Sequence, residues 1–331
     1  MLAVNALAGA QADWEKIHAL DAGPQQKATS QAEALQVTTR FLAMQEDAYR
    51  NFLARYPDDP HAVDVKLRLA HLLSVKADLQ GNPALNDDAD QLLEKLARDP
   101  ALPPARRVDV EFARLSLFMR GVKVGSSKDR ADLLLKVRDF QEKFPTDRRV
   151  APTLAETATL FDDDPAQKQT LLTEALALTK DDALRRQIND DLHRISLLGK
   201  PLNLKLPAID GRVIDTAALT GKVVVICFFA TWSPPSMDAV QALPTWSPGE
   251  VQVVGISLDR DPAAAAAALK EAKLSWPVFC DGKGWTGATV RSLGLNALPT
   301  IWVLDRAGRL RTLNAAPAAI DDLVRQLLRE Q

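Results

Sequence analysis

Apolar residues recur at intervals of three and four from about residue 10 to residue 198, and in short unbroken or alternating runs after it. In the first half, Val63, Leu67, Leu69, Ala70, Leu72 and Leu73 share one helical stripe, and Leu133, Leu134, Val137 and Phe140 share another. Glycine is scarce there, and prolines stand between the periodic segments, where they mark helix ends and starts. An all-α region is therefore expected over residues 13–198. At "LLGKPLNLKLPAIDGRVID" Gly199, Pro201, Pro207 and Gly211 arrive together and the period shifts towards strand. Beyond it "KVVVICFFA", "VQVVGISLD", "WPVFC", "PTIWVLD" and "RLRTLN" read as strands, and "DPAAAAAALKEAKL", "TGATVRSLG" and "AIDDLVRQLLRE" as helices. That alternation predicts an α/β domain over residues 199–331, a mixed sheet with helices on its faces. The last two runs, joined by "DRAGR" with Gly308, predict an antiparallel hairpin.

The helical half repeats itself. "LARYP" (Leu53–Pro57) returns as "LARDP" (Leu96–Pro100) and more loosely as "QEKFP" (Gln141–Pro145), with prolines 43 and 45 residues apart and an amphipathic segment after each. A period of that size resembles tetratricopeptide-like or HEAT-like helical hairpins, although the Trp/Gly/Tyr/Ala signature of the tetratricopeptide family is absent. Such hairpins stack because none buries its apolar face alone, and the stack offers a concave surface to a protein partner. A plain helical scaffold without a ligand is the alternative.

Composition narrows the function. A chain of 331 residues suggests about two domains, and 47% hydrophobic with 25% charged residues suits a globular protein. A net charge of −2 without a Lys/Arg run gives no footprint for nucleic acid or an anionic surface. No apolar stretch approaches the ~18 residues of a membrane span. Zinc-spaced Cys/His clusters, GxGxxG or Walker sequences and EF-hand loops are missing, so neither a metal nor a cofactor is expected. Residues 1–12 are mostly small and apolar, and Ala8-Gly9-Ala10 or Ala10-Gln11-Ala12 suits an A-x-A cleavage site. No Lys or Arg precedes Lys16, so this stretch reads either as the tail of an export signal or as a frayed first helix.

The chemistry concentrates in "FFATWSPPSMDA", residues 228–239. Together with "DGRVIDTAALTGKVVVI" before it and "VVGISLD", "DGKGW" and "LGLNALPTIWVLDRAGRL" after it, this stretch resembles the extracytoplasmic thioredoxins of the TlpA/ResA type over about residues 199–331. The resemblance implies a Trp-Cys-x-x-Cys turn at the start of the first core helix, faced by a cis-proline. Trp232, Pro234 and Pro235 match that turn and Pro299 takes the cis-proline position, but Ser233 and Ser236 stand where the cysteines belong. A thiol at a helix N-terminus ionises near neutral pH and attacks a substrate disulfide, which the second thiol then resolves. A serine does neither. All four histidines, His18, His61, His71 and His193, precede residue 199, so a base for a nucleophilic serine is not evident. Ser233 suits a helix N-cap instead, with the prolines in the first turn.

Three further positions depart from the family. Cys227 stands where its members carry Asn or a buried Asp that assists proton transfer, Phe229 replaces a usual Trp, and Gln241 replaces a kinking proline. Cys280, in the edge strand expected of this type, is the remaining candidate as a reactive thiol; two strand steps of ~4.8 Å separate it from Cys227, too far for a disulfide.

These residues lead to a redox-inactive thioredoxin-like module of the bacterial envelope or periplasm that binds a protein or extended peptide. The groove implied by the resemblance is formed by Trp232, Pro234, Pro235, Leu298 and Pro299, with the backbone of Leu298 offered to an added strand. The alternative is a thiol-disulfide oxidoreductase of the same type in which both cysteines have been changed to serine. A third reading makes the helical half an assembly module and the α/β half its folded cap.

Overall fold

The structure, a computed structural model, describes residues 2–123, 126–315, 317 and 319–330. The chain divides into two compact units, Met1–Asp147 and Arg148–Gln331.

The first unit is helical: α1 (Leu2–Ala19), α2 (Gln31–Arg55), α3 (Ala62–Gln80), α4 (Ala84–Ala97), α5 (Pro104–Gly121) and α6 (Ser127–Lys143). Local chemistry sets their ends. The Ser30 hydroxyl accepts from Glu33 N–H while the Glu33 carboxylate accepts from Thr29 N–H, a reciprocal cap on α2. Ser126 caps α6 through Asp129 N–H. Two of the three repeated proline sites share one helix-ending conformation: Tyr56 (φ −135°, ψ 58°) closes α2 and Phe144 (φ −134°, ψ 58°) closes α6. Each tops an aromatic pair, Phe52–Tyr56 at 5.3 Å and Phe140–Phe144 at 5.2 Å. The third site differs, with Arg98 after α4 still in the right-handed helical region. Phe52, Val65, Leu69, Leu72, Leu73 and Leu93 form the main core of this unit. Helix α1 joins it through Ile17, and Trp14 stacks on His61 at 4.4 Å.

The second unit opens with three more helices, α7 (Val150–Ala158), α8 (Pro165–Leu178) and α9 (Asp182–Leu197), although composition changes only near residue 198. Contacts explain why these helices go with the strands that follow. His193 Nε2 lies 2.9 Å from the Ser292 carbonyl oxygen. Gly294 (φ 64°) approaches the Asp190 carbonyl so closely that a β-carbon would sit 2.6 Å from it. The buried ion pair Arg194–Asp191 and the buried Lys168, paired with the partly exposed Asp162, lie in this helical segment.

After α9 a short hairpin, β1 (Lys205–Pro207) and β2 (Val213–Asp215), precedes a four-stranded sheet. The sheet comprises β3 (Val223–Phe229), β4 (Val251–Ser257), β5 (Val278–Phe279) and β6 (Thr300–Leu304), in the order β5-β4-β3-β6. β4 runs parallel to β3 and β5, and β6 runs antiparallel to β3. The mixed α/β architecture predicted for this region is the one observed. Every residue of β3 is buried, and its alternation divides two cores. Val224, Ile226 and Phe228 face one of them with Val290, Leu293 and Trp302. Val225, Cys227 and Phe229 face the other with residues of α10 (Pro234–Gln241), α11 (Pro262–Glu271) and α13 (Ile320–Arg329). α12 (Ala288–Ser292) lies on the first face.

Gly255 of β4, opposite Cys227, is a packing requirement, because a β-carbon there would lie 2.5 Å from the Trp276 ring and 2.7 Å from Val278. Trp276 in turn meets Phe229 edge-on at 6.2 Å.

The final hairpin forms only in part. Arg311 N–H and Ala315 N–H donate to the carbonyls of Val303 and Ile301, but Ile301 N–H is taken by the Asn314 side chain and the Trp302 indole donates to the Leu313 carbonyl. Side chains thus replace ladder bonds, and "RLRTLN" runs beside β6 without becoming a strand.

Candidate functional site

β3 delivers the chain to the end of the sheet at Phe229, Ala230 and Thr231 turn it, and α10 leads away from Pro234. Ser233 holds the N-cap position with extended backbone (φ −107°, ψ 101°), yet its hydroxyl caps no helix N–H. The expected cap fails for a local reason. Pro234 and Pro235 fill the first two helical positions and carry no N–H, and the third donor, Ser236 N–H, goes to the Ser233 carbonyl at 3.0 Å. Instead the buried Ser236 hydroxyl donates to Ser233 Oγ at 3.0 Å. The two positions matched to the family's cysteines are therefore joined by an O–H···O bond, with no base between them.

The Leu298–Pro299 peptide bond is cis. Antiparallel pairing of Phe228 with Thr300, carried on by two residues, sets Leu298 level with Ala230, just ahead of the serines. Leu298 is half-buried against the first core. Among the described residues its N–H and C=O make no backbone hydrogen bond, which leaves the backbone of this bend unpaired beside the site. Trp232 is 59% exposed, a large apolar surface for a residue fixed between strand and helix. Pro234 and Pro235 are exposed as well.

Asp259 is the residue that pattern reading missed. It is buried, 3% exposed, just beyond β4. Its carboxylate accepts from Thr231 N–H at 3.0 Å, from Thr231 Oγ at 2.7 Å and from Ser257 Oγ at 2.7 Å. A charge-assisted cluster of this kind holds the turn before Trp232 to the neighbouring strand. Its signal was present as "SLD", a serine two residues ahead of a carboxylate at the end of an apolar run.

Neither cysteine reaches the serines' chemistry. Both are free. Cys227 is fully buried and burial pushes its thiol up to about 12, so it stays protonated at neutral pH. Cys280 follows the edge strand β5, two strands from β3, and its thiol donates to the Asp259 carbonyl at 3.3 Å. His193 is the histidine of this unit, and its Nε2 is engaged at Ser292. Among the described residues no group of His, Cys, Asp and Glu could hold a metal ion, and no helix is long and apolar enough to cross a membrane.

Residues 195–327, about two fifths of the chain, match the family model described as Redoxin. Similar solved structures include a thiol:disulfide interchange protein of the thioredoxin family from Chlorobium tepidum, 25% identical, covering 39% of this chain and 94% of its own (TM-score 0.33). A thiol-disulfide oxidoreductase from Bacteroides fragilis is 24% identical over 38% of this chain and 97% of its own (TM-score 0.33). A thiol-disulfide isomerase from Corynebacterium glutamicum is 23% identical over 40% of this chain and 100% of its own (TM-score 0.35). No curated protein matches the chain.

Proposed function

We propose that the Redoxin domain is a redox-inactive binding module, which takes an extended protein segment along Leu298–Pro299 beside Trp232 and acts in the bacterial envelope. The observation that carries this reading is the Ser236–Ser233 hydroxyl pair. Two hydroxyls cannot cycle between dithiol and disulfide, and a serine without a base is a poor nucleophile. What the fold retains is an unpaired backbone segment at Leu298 flanked by the exposed Trp232, and strand addition needs no sulfur. Polar main-chain contacts then supply affinity while Trp232 and the prolines read side chains. The helical unit, with its repeated helix ends, serves in this proposal as scaffold or second contact for the same partner.

The oxidoreductase reading makes the opposite forecast for one variant. Full-length S233C/S236C, assayed for insulin disulfide reduction, is expected to stay more than about tenfold below a thioredoxin control, because Cys227 still replaces the polar residue that assists proton transfer. Turnover equal to the control would restore the chain to the oxidoreductases.

A further inference from the structure

We infer that the partly open cavity between α3, α4 and α5 in the helical unit is a binding site for a small monocarboxylic acid with a short aliphatic or aryl tail. The cavity measures about 200 Å³. That is somewhat more than the ~150 Å³ that accepts benzene in a protein interior. Its wall is apolar, formed by Leu67, Leu93, Phe112, Ala113 and Leu117. A compact apolar tail gains there what it loses in water.

The polar groups are few, and they converge. Ser74 of α3 is 3% exposed, and its hydroxyl has no hydrogen-bond partner among the described residues. A serine inside a helix ordinarily returns its hydroxyl to the carbonyl one turn back. A buried hydroxyl without that bond costs stability and is a group to be explained. His71, one turn before Ser74 on the α3 wall, and Ser116 and Arg120, one turn apart on α5, line the same cavity. His71 and Arg120 are both exposed on their outer sides, so these two basic groups stand at the mouth of the cavity rather than inside it; partial desolvation of the imidazole, and then the charge of Arg120, lower the proton affinity of His71. Arg120 also meets Asp78 at 3.3 Å, but that carboxylate is 62% exposed and is not part of the wall. Among the described residues no acid lines the cavity. Its charge therefore selects an anion, its hydroxyls donate to a carboxylate, and its apolar wall excludes a bare inorganic ion.

A larger cavity nearby, bounded by α4, α5 and α6, lacks this sign preference. Its acids and bases pair with one another, as in Arg114–Glu111 and Lys143–Asp139.

The test is calorimetric titration of the full-length chain with benzoate and hexanoate, with hexylamine as the cationic control. The wild type is expected to bind a carboxylate with Kd below about 20 mM and not to bind hexylamine. Arg120→Gln should weaken carboxylate binding at least about tenfold, and Ala113→Phe, which fills the cavity, should abolish it. Ser74→Ala gives a second signature: a higher Tm without ligand, because a desolvated hydroxyl has gone, and weaker carboxylate binding. Failure of both acids to bind the wild type, binding that Arg120→Gln leaves unchanged, or equal binding of hexylamine would each overturn the assignment.

Discussion

Ser236 donates its hydroxyl to Ser233 across 3.0 Å, and through that bond the turn at the start of α10 satisfies a buried donor. The pair is asymmetric. Ser236 is fully buried and Ser233 is half-buried, so they answer differently to truncation. Ser233→Ala strands the Ser236 hydroxyl and is expected to cost ~1–2 kcal/mol, whereas Ser236→Ala leaves Ser233 free to bond water and should cost ~0.5–1 kcal/mol. The double variant should cost less than the sum. Urea denaturation of the four proteins reads this cycle, and strict additivity would mean that the bond contributes nothing.

Asp259 should matter more than either serine. Asp259→Ala removes the acceptor for Thr231 and Ser257 and is expected to cost about 2–4 kcal/mol, with Asp259→Asn recovering part of it. Because Thr231 precedes Trp232, the same variants should broaden the indole signal of Trp232 in a ¹H–¹⁵N spectrum. An unshifted Trp232 in Asp259→Ala would show that the turn holds itself.

Gly255→Ala tests the packing of the sheet beside Cys227. A methyl group aimed at Trp276 and Val278 should destabilise by about 1–3 kcal/mol, and thermal melts measure it.

Stability should also depend on pH through His71. The ring is exposed on one side, yet partial desolvation on its inner side and the charge of Arg120 lower its pKa from the ordinary 6.5. The unfolded chain then binds the proton more readily than the folded one, so the slope of unfolding free energy with pH is positive below and through 6.5. Stability is present above that value and is lost as the solution is acidified towards the folded pKa. Urea midpoints at pH 7.5 and about 5.5 should differ more in the wild type than in His71→Gln. Equal differences would remove His71 from the account.

Much of the α/β half was legible from its residues. Seven buried residues in "VVVICFF" announce a central strand, and the order of strands and helices after it leaves little freedom in topology. The cis bond at Pro299 and the edge position of β5 were likewise implied by the resemblance. Three features were not legible, each because it depends on partners distant in sequence or on competition among local bonds. The cap at Ser233 is lost to two adjacent prolines. The strand expected at "RLRTLN" is interrupted because Asn314 takes a ladder donor. Asp259 acquires its place only when β4 is laid beside β3. In the helical half, periodicity located the helices, whereas the attachment of α9 depends on the close approach of Gly294 to Asp190, which no periodicity encodes.

A domain that binds without sulfur chemistry must hold a cysteine-free ligand through Trp232 and Leu298. A fluorescein-labelled, cysteine-free decapeptide, selected on the wild-type chain from a random library, is titrated into the full-length protein, Trp232→Ala and Leu298→Glu. Each substitution is expected to weaken binding at least about tenfold, equivalent to about 1.4 kcal/mol or more, and dithiothreitol to leave every affinity unchanged. Wild-type affinity in both variants, or a library from which the wild type retains no peptide, would contradict it.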